Sequence, residues 1–149
     1  MADPSKAAQD AYIALYRGDT TLRGLMTGAS SPDWNIFDQG GSGLMPVVFP
    51  AVFVHPAQSQ IGAALSFGTD ARDLSMFVEV YTEQEGFDQA RQIAARIYRL
   101  THGPAAGQPF PISGFTHIMT MCVQEQEAEQ VGDSLKQGIQ HRYQTVIAG

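Results

Sequence analysis

Residues 74–81 alternate between two sets of side chains, and this alternation constrains the fold more than any other feature of the sequence. One set is entirely apolar, namely Leu74, Met76, Val78 and Val80, and the other is mixed, namely Ser75, Phe77, Glu79 and Tyr81. A repeat of two residues is typical of a β-strand with one strongly buried face. Because a sheet with such a face needs a second layer to cover it, the segment predicts a layered domain.

The residues after this strand have the pattern of a helix that could form the covering layer. Their apolar members recur on one stripe at helical spacing, at Ala90, Ile93, Ala94, Ile97 and Leu100. Gly103 and Pro104 follow, and both residue types are common just beyond a helix end. We therefore expect an amphipathic helix that packs on the sheet, with His102 in its last turn.

Helix signals also occupy the first 26 residues. Pro4 and Ser5 are favourable at a helix start, and apolar residues at helical spacing follow up to Gly18, which predicts a first helix. Asp19 or Thr20 can cap a second helix of about two turns.

Two segments in the first half have strand character. Trp34, Ile36 and Phe37 predict one short strand. Residues 47–54 are β-branched and aromatic, but Pro50 cannot donate a ladder hydrogen bond, so we expect this strand to lie at an edge of the sheet or to be bulged.

Two further strands are expected near the C-terminus. Residues 115–125 are apolar in both alternating sets, which predicts a central strand. Residues 138–147 predict a final strand through Ile139, Tyr143 and Ile147. The polar residues 124–137 lie between them, and a long hairpin is the simplest connection.

This order of elements decides the fold class. Strands and helices do not alternate as they do in a parallel sheet. We predict an α+β fold, with a mainly antiparallel sheet of four to five strands packed on one face by two to three helices. A chain of 149 residues has the usual size of one domain, so residues 1–149 are expected to form a single domain.

Charge and cysteine content disfavour several classes of function. Nine Lys and Arg against fifteen Asp and Glu give a net charge of -6, and no basic cluster is present that could neutralise several phosphates. Cys122 is the only cysteine, which excludes an internal disulfide framework and a cysteine-based zinc site. No stretch approaches the roughly 18 apolar residues of a membrane span, so we expect a soluble protein, made in the cytoplasm, with no membrane partner.

Motifs for catalysis and cofactor binding are absent from the sequence. It has no GxxxxGKS/T or GxGxxG phosphate loop and no GxSxG nucleophile elbow, and residues 40–43 are more simply a flexible loop. The histidines, which are His55, His102, His117 and His141, lie far apart, and none has a partner at helical spacing. We therefore predict no catalytic, cofactor-binding or metal-binding residues, and a protein that is not an enzyme.

Three groups of residues keep an alternative interpretation. Cys122 could be a nucleophile if a histidine met it in space, but its neighbours favour a small buried hydrophobe. Glu125, Glu127 and Glu129 share a face if extended and could hold a hard cation weakly, although a solvated hairpin is the simpler interpretation. A third group could form an adaptable binding surface, but its strand positions favour core filling, and Met45, beside Leu44 in a loop, is the one we expect as an exposed contact. The group consists of Met26, Met45, Met76, Met119 and Met121.

The segment from Pro56 to Asp70 is rich in Gly, Ala, Ser and Gln and predicts a long connecting loop. Loops of this length in compact domains are usually functional or disordered. We expect it to contact a partner, together with the loop near residue 45. The candidate interface residues are Leu44, Met45, Gln58, Gln60, Ile61, Leu65 and Phe67.

Several segments follow one another in a characteristic order. They are residues 14–16 of the opening helix, 19–22, 35–38, the proline-containing strand 49–54, the strand 74–81 with 86–90 after it, and the closing residues 138–143. In this order they resemble the family of tail-terminator and tail-completion proteins of long-tailed phages and gene transfer agents. The resemblance lies in the order of the segments, since none of them is a chemical signature, and the long polar stretches 56–70 and 124–137 depart from the family pattern.

The resemblance implies a hexameric ring that binds the last ring of the major tail tube protein, stops tube growth and docks on the head-tail stopper or connector protein. DNA would pass through the lumen without specific binding. The implied location is the tail or neck of the virion, after assembly in the host cytoplasm. Two alternatives stay open: a head-tail stopper or other neck or minor capsid component, and a small ligand-binding or enzymatic α+β domain.

Overall fold

The computed structural model describes residues 4–26, 36–37, 50–61, 71–82, 88–104, 110–130 and 136–148. Several residues that the sequence singled out lie outside these ranges. They are Trp34, the glycine-rich residues 40–43, and the expected contacts Leu44, Met45, Leu65 and Phe67.

Three helices and six strands make up the described part of the chain. The helices are α1 (Pro4–Arg17), α2 (Thr20–Leu25) and α3 (Asp88–Thr101). The strands are β1 (Ile36–Phe37), β2 (Ala51–Ile61), β3 (Ala71–Thr82), β4 (Gly103–Pro104), β5 (Thr116–Gln130) and β6 (Lys136–Ala148). None of the helices in the described ranges is long and apolar enough to cross a membrane.

The four long strands form an antiparallel sheet in the order β2-β3-β6-β5. A two-residue strand extends it on each side: β1 pairs in parallel with β2, and β4 pairs in antiparallel with β5. Helices α1 and α3 pack on this sheet, with α1 over β2 and α3 over β3 and β6. The α+β fold predicted from the sequence is confirmed.

The helix-covered face of the sheet carries the hydrophobic core. Leu74, Met76, Val78 and Val80 of β3 point toward the helices and are at most 2% exposed. The alternation in residues 74–81 therefore predicted the core face correctly. The partners of these residues on β6 lie on the same face and are also buried, namely Thr145, Tyr143, His141 and Ile139.

The predicted stripe of the third helix is also confirmed, because Ala90, Ile93, Ala94 and Ile97 of α3 are buried. A pair of hydroxyl groups then fixes α1 against the end of α3. Tyr16 Oη lies 2.7 Å from Thr101 Oγ1, and the Thr101 hydroxyl donates to the Ile97 carbonyl at 2.6 Å. Each buried hydroxyl is thereby satisfied, as burial requires.

Two expectations about the strand that contains Pro50 were wrong. The strand begins at Ala51, so Pro50 precedes the ladder instead of interrupting it. The strand also continues to Ile61 across a bulge between Pro56 and Gln58, so the first part of the predicted 56–70 loop is a strand. A bulge relaxes the pairing at a proline and lets the ladder resume beyond it.

The expectation that residues 115–125 form a central strand was also wrong. The central position belongs to β6, which pairs with β3 on one side and with β5 on the other. The second apolar set of β5 is partly exposed. The hairpin itself is confirmed and is longer in its paired part than expected, since β5 runs to Gln130 and β6 begins at Lys136.

Candidate partner interface

Within the described residues, strand β5 presents an open edge over most of its length. Its inner side pairs with β6 from Thr116 to Gln130, whereas the pairing described on its outer side is with β4 at Met119 and Thr120. In the ranges that the structure describes, no strand pairs with the outer side of residues 121–130. An open edge offers unpaired backbone N–H and C=O groups to another strand.

Exposed apolar side chains concentrate on the same strand. Ile118 is 40% exposed, Met121 42% and Val123 49%, and Tyr98 on α3 is 41% exposed. Ile118 and Val123 are the extra residues of two β-bulges, where the register with β6 shifts. Within the described residues these four are the exposed large apolar side chains, and three of them fall within six positions of β5. Clustered exposed apolar groups are typical of a surface that a partner covers.

A buried histidine ties the outer arm of β5 to the core. His141 on β6 is 2% exposed, and its Nε2 lies 2.5 Å from Glu125 Oε2 while its Nδ1 lies 2.8 Å from Tyr143 Oη. With Nε2 protonated toward the carboxylate, Nδ1 accepts from the tyrosine hydroxyl. Both ring nitrogens are then engaged in hydrogen bonds within the protein. These two hydrogen bonds hold the outer arm of the β5–β6 hairpin against the core.

A chain of hydroxyl groups lies beneath the start of β5. The Tyr12 hydroxyl bonds to Thr145 Oγ1, which lies 3.0 Å from Thr120 Oγ1, and Thr120 Oγ1 lies 2.8 Å from His117 Nε2. His117 Nδ1 lies 3.1 Å from the Phe110 carbonyl and donates to it. If His117 is neutral, Tyr12 donates to Thr145, Thr145 to Thr120 and Thr120 to His117 Nε2, so each hydroxyl proton in this chain has an acceptor.

Burial lowers the pKa of His117 below its usual value of 6.5, although the Phe110 carbonyl acts in the opposite direction. The hydroxyl chain gives a second physical reason for a neutral ring. A protonated Nε2 would donate to Thr120, and one of the three buried hydroxyl groups in the chain would then have no acceptor for its proton within it. Burial also raises the pKa of the Tyr12 phenol well above its usual range.

The sheet face opposite the helices carries a row of polar side chains. Gln126 Nε2 on β5 donates to Gln140 Oε1 on β6 at 2.6 Å, and Gln140 Nε2 donates to Glu79 Oε1 on β3 at 3.3 Å. Glu79 also accepts from the Tyr81 hydroxyl and lies 3.3 Å from His55 Nε2 on β2. The row crosses all four long strands and gives this face an amide-rich, weakly charged surface.

The structure brings together few of the interface residues predicted from the sequence. Gln58, Gln60 and Ile61 lie in β2 and pair with Ser75, Asp73 and Arg72 of β3. The other four predicted contacts fall outside the described ranges. The prediction of this interface therefore stays a prediction.

The alternative chemical sites take ordinary positions in the fold. Cys122 is half-buried, and burial raises the pKa of its thiol, which opposes formation of a thiolate nucleophile. Its backbone N–H donates to His102 Nδ1 at 2.9 Å. Among the described residues, no group of three His, Cys, Asp or Glu side chains could hold a metal ion.

The exposed residues Ile118, Met121 and Val123 were missed as interface candidates. The sequence contained a signal for these residues, because a strand that is apolar on both faces needs packing partners on each face. For a central strand, the rest of the same chain would provide those partners. The expectation that Met121 fills the core was accordingly wrong, whereas Met26 and Met76 are buried.

A shallow groove of about 460 Å³ lies beside α1 and is lined largely by small residues. Its charged residues, Lys6 and Asp10, pair with each other at 3.1 Å. The groove therefore offers little polar chemistry to a ligand. The remaining lining residues are Ala7, Ala11, Ala14, Pro111 and Ser113.

Comparison with known proteins gives an informative likeness to a chain in a solved structure. No protein-family model matches the chain, and no curated protein matches it. A chain in a solved structure described as "Virion of native gene transfer agent (GTA) particle" is 16% identical to it, with a TM-score of 0.70. The match covers 100% of this chain and 100% of that chain. At this level of identity the likeness shows that the two chains share their fold.

Proposed function

We propose that the chain is a structural protein of a phage tail or phage-like particle. The observation that carries this proposal is the end-to-end likeness in fold to a chain of a gene transfer agent particle. Because the match spans both chains completely, it is not confined to one common motif. In this proposal the protein is not an enzyme and acts through contacts with other virion proteins.

The specific role we propose is that of tail terminator: a hexameric ring that ends polymerisation of the tail tube and joins the tail to the head connector. A closed ring is built from heterologous contacts, in which one surface of each subunit meets a different surface of the next. The β5 edge and the β1–β2 edge lie on opposite sides of the sheet and have different residues. They are therefore suitable as the two halves of such a contact.

The described surfaces suit contacts with a neighbouring subunit or the tube and weak contact with DNA. The exposed apolar residues of β5 can be covered by a neighbouring subunit or by the tail tube protein. The amide-rich row that includes Gln126 and Gln140 has no strong charge for DNA to bind. Six copies of a chain of net charge -6 carry about -36 in total, which would weaken contact with DNA in the lumen.

A head-tail stopper or another neck component is the second candidate. The structural likeness is to a chain of a whole virion particle, so it supports another neck component as well as a terminator. The two roles differ in what happens when the protein is missing. Without a terminator, we expect the tail tube to polymerise beyond its normal length. Without a stopper, we expect tails of normal length that are not joined to filled heads.

The test is deletion of the gene from the genome that produces the particle, followed by electron microscopy of the lysate. We expect tubes of irregular, extended length that lack heads, and recovery of tailed particles when the wild-type gene is supplied in trans. Tails of normal length separated from heads would contradict the terminator role and support the stopper. Normal complete particles would contradict both.

A further inference from the structure

One row of paired residues crosses five strands of the sheet, and side chains of opposite charge lie at or beside its two ends. Ile36 pairs with Val52, Val52 with Val80, Val80 with Ile139, and Ile139 with Glu127. Residues that pair in register point to the same face, here the face that the helices cover. The row thus begins at the β1 edge and ends at a carboxylate on the β5 edge.

A positive charge lies at the β1 end of this row. Arg17, the last residue of α1, is exposed and donates from Nη2 to the Ile36 carbonyl at 2.9 Å. A guanidinium has five N–H donors, so this bond leaves others available. Arg23 of α2 lies beside it and donates to the Arg17 carbonyl at 3.1 Å.

A negative charge lies at the β5 end. Glu127 is exposed and has no ion-pair partner among the residues that the structure describes. Its neighbour Glu125 is engaged with His141, so the two carboxylates have different surroundings. The two edges of the sheet are therefore complementary in charge at the same level of the ladder.

The strand directions suit a contact between these two edges. From β2 to β5 the chain direction reverses three times, at β3, β6 and β5, so β5 runs opposite to β2. If the β1–β2 edge of a second copy approaches the β5 edge with its helices on the same face, the neighbouring long strands are again antiparallel. Met121 and Val123 would then be covered by the second copy.

We propose that the β5 edge of one copy docks on the β1–β2 edge of a second copy of this chain, with Glu127 of the first facing Arg17 of the second. The inference rests on the proposed ring and names the surfaces that join its subunits. The contact is heterologous, so the same pairing repeats around the ring. Like charges placed at this position would oppose the contact directly.

Charge exchange provides the test. Glu127→Arg places two arginines at every junction, and Arg17→Glu places two glutamates there. A ring that alternates the two variants has opposite charges at every junction, and so does a ring of the double variant. We measure the yield of tailed particles when each form, or an equal mixture of both, complements the deletion strain.

Each single variant should lower the yield by at least about tenfold, and both the mixture and the double variant should restore most of it. Asp10→Arg and Arg99→Glu are matched controls, because they make the same changes in net charge at exposed sites on α1 and α3 and should keep the wild-type yield. Recovery in the mixture also requires each variant to be folded, so loss by misfolding is excluded by the same result.

Two results would overturn the inference. One is a wild-type yield with the Glu127→Arg and Arg17→Glu variants. The other is a mixture or double variant that performs no better than the single variants while circular dichroism shows all of them folded. Either result, in a strain whose deletion still gives extended tubes without heads, leaves the proposed function standing and removes only this contact. A deletion that leaves tails normal removes the proposed function itself.

Discussion

Arg96 on α3 donates two hydrogen bonds, of 2.7 and 2.9 Å, to the carboxylate of Asp19, the N-cap of α2. The same carboxylate accepts from the Leu22 backbone N–H at 2.8 Å. One side chain thus starts a helix of only six residues and fixes it to α3. A helix this short depends on such contacts, because its own hydrogen bonds do not offset the cost of nucleation.

We expect Asp19→Ala to lower the free energy of unfolding by about 1–2 kcal/mol, measured by urea denaturation, because the cap and the ion pair are lost together. Asp10→Ala is the control: its pair with Lys6 is largely exposed, so a change below about 0.5 kcal/mol is expected. The hydrogen bonds from Arg96 lower the pKa of Asp19 below its usual 3.8. The stabilisation should therefore be complete above about pH 3.8 and be lost as the pH falls further. Equal effects of the two substitutions would contradict this role of Asp19.

His117 should make stability depend on pH in the weakly acidic range. The unfolded chain binds a proton at this residue near pH 6.5, whereas the folded chain binds it only at lower pH. The free energy of unfolding should therefore fall as the pH decreases from 6.5 toward the folded-state pKa, and His117 should contribute no slope above 6.5. His117→Gln should flatten the pH profile in this range, and Arg99→Gln should retain the wild-type slope. An unchanged slope in the His117 variant would be inconsistent with a neutral ring in the hydroxyl chain.

The bond between His141 and Glu125 should control local opening of the hairpin arm. Glu125→Leu removes the carboxylate that accepts from His141 Nε2, which leaves a buried donor without a partner. We expect faster hydrogen exchange at the backbone amides of the paired segments near residues 125 and 141, with little change in α1. Glu127→Leu alters the same arm without touching His141 and serves as the control in the unassembled protein. Exchange that rises equally in both variants would mean that the histidine contact does not hold the arm.

Met121 and Val123 should matter for assembly more than for folding. Both side chains are more than 40% exposed, so Met121→Ser and Val123→Ser together should change the free energy of unfolding by no more than about 1 kcal/mol. The yield of tailed particles should nevertheless fall, because the partner loses apolar contact. Tyr98→Ser removes an exposed apolar side chain from α3 and provides the comparison. Normal yield from the β5 variant would show that this edge is not an interface.

Much of the fold could be predicted from local patterns. The period of two in residues 74–81 predicted a strand, and the structure confirms it. The apolar stripe of the third helix was confirmed as well, at Ala90, Ile93, Ala94 and Ile97. Asp19 likewise acts as the cap expected of it. These predictions succeeded because each depends on side chains that are close in the sequence.

The interface could not be predicted in the same way. Whether β5 is central or near an edge depends on which strands pair, and the apolar pattern of residues 115–125 is the same in either case. The bulges at Ile118 and Val123 carry no local sequence signal, although they expose both residues. The row from Ile36 to Glu127 joins five residues from five strands, so its charge complementarity appears only once the register is known.

The position of the chain in an assembled particle tests the central claim most directly. Cryo-electron microscopy of the particle encoded by the same genome should find six copies in one ring between the last ring of the tail tube and the head connector. In that ring the β5 edge of each copy should lie against the β1–β2 edge of the next. Density for this chain at the baseplate, in the capsid shell or nowhere in the particle would contradict the account.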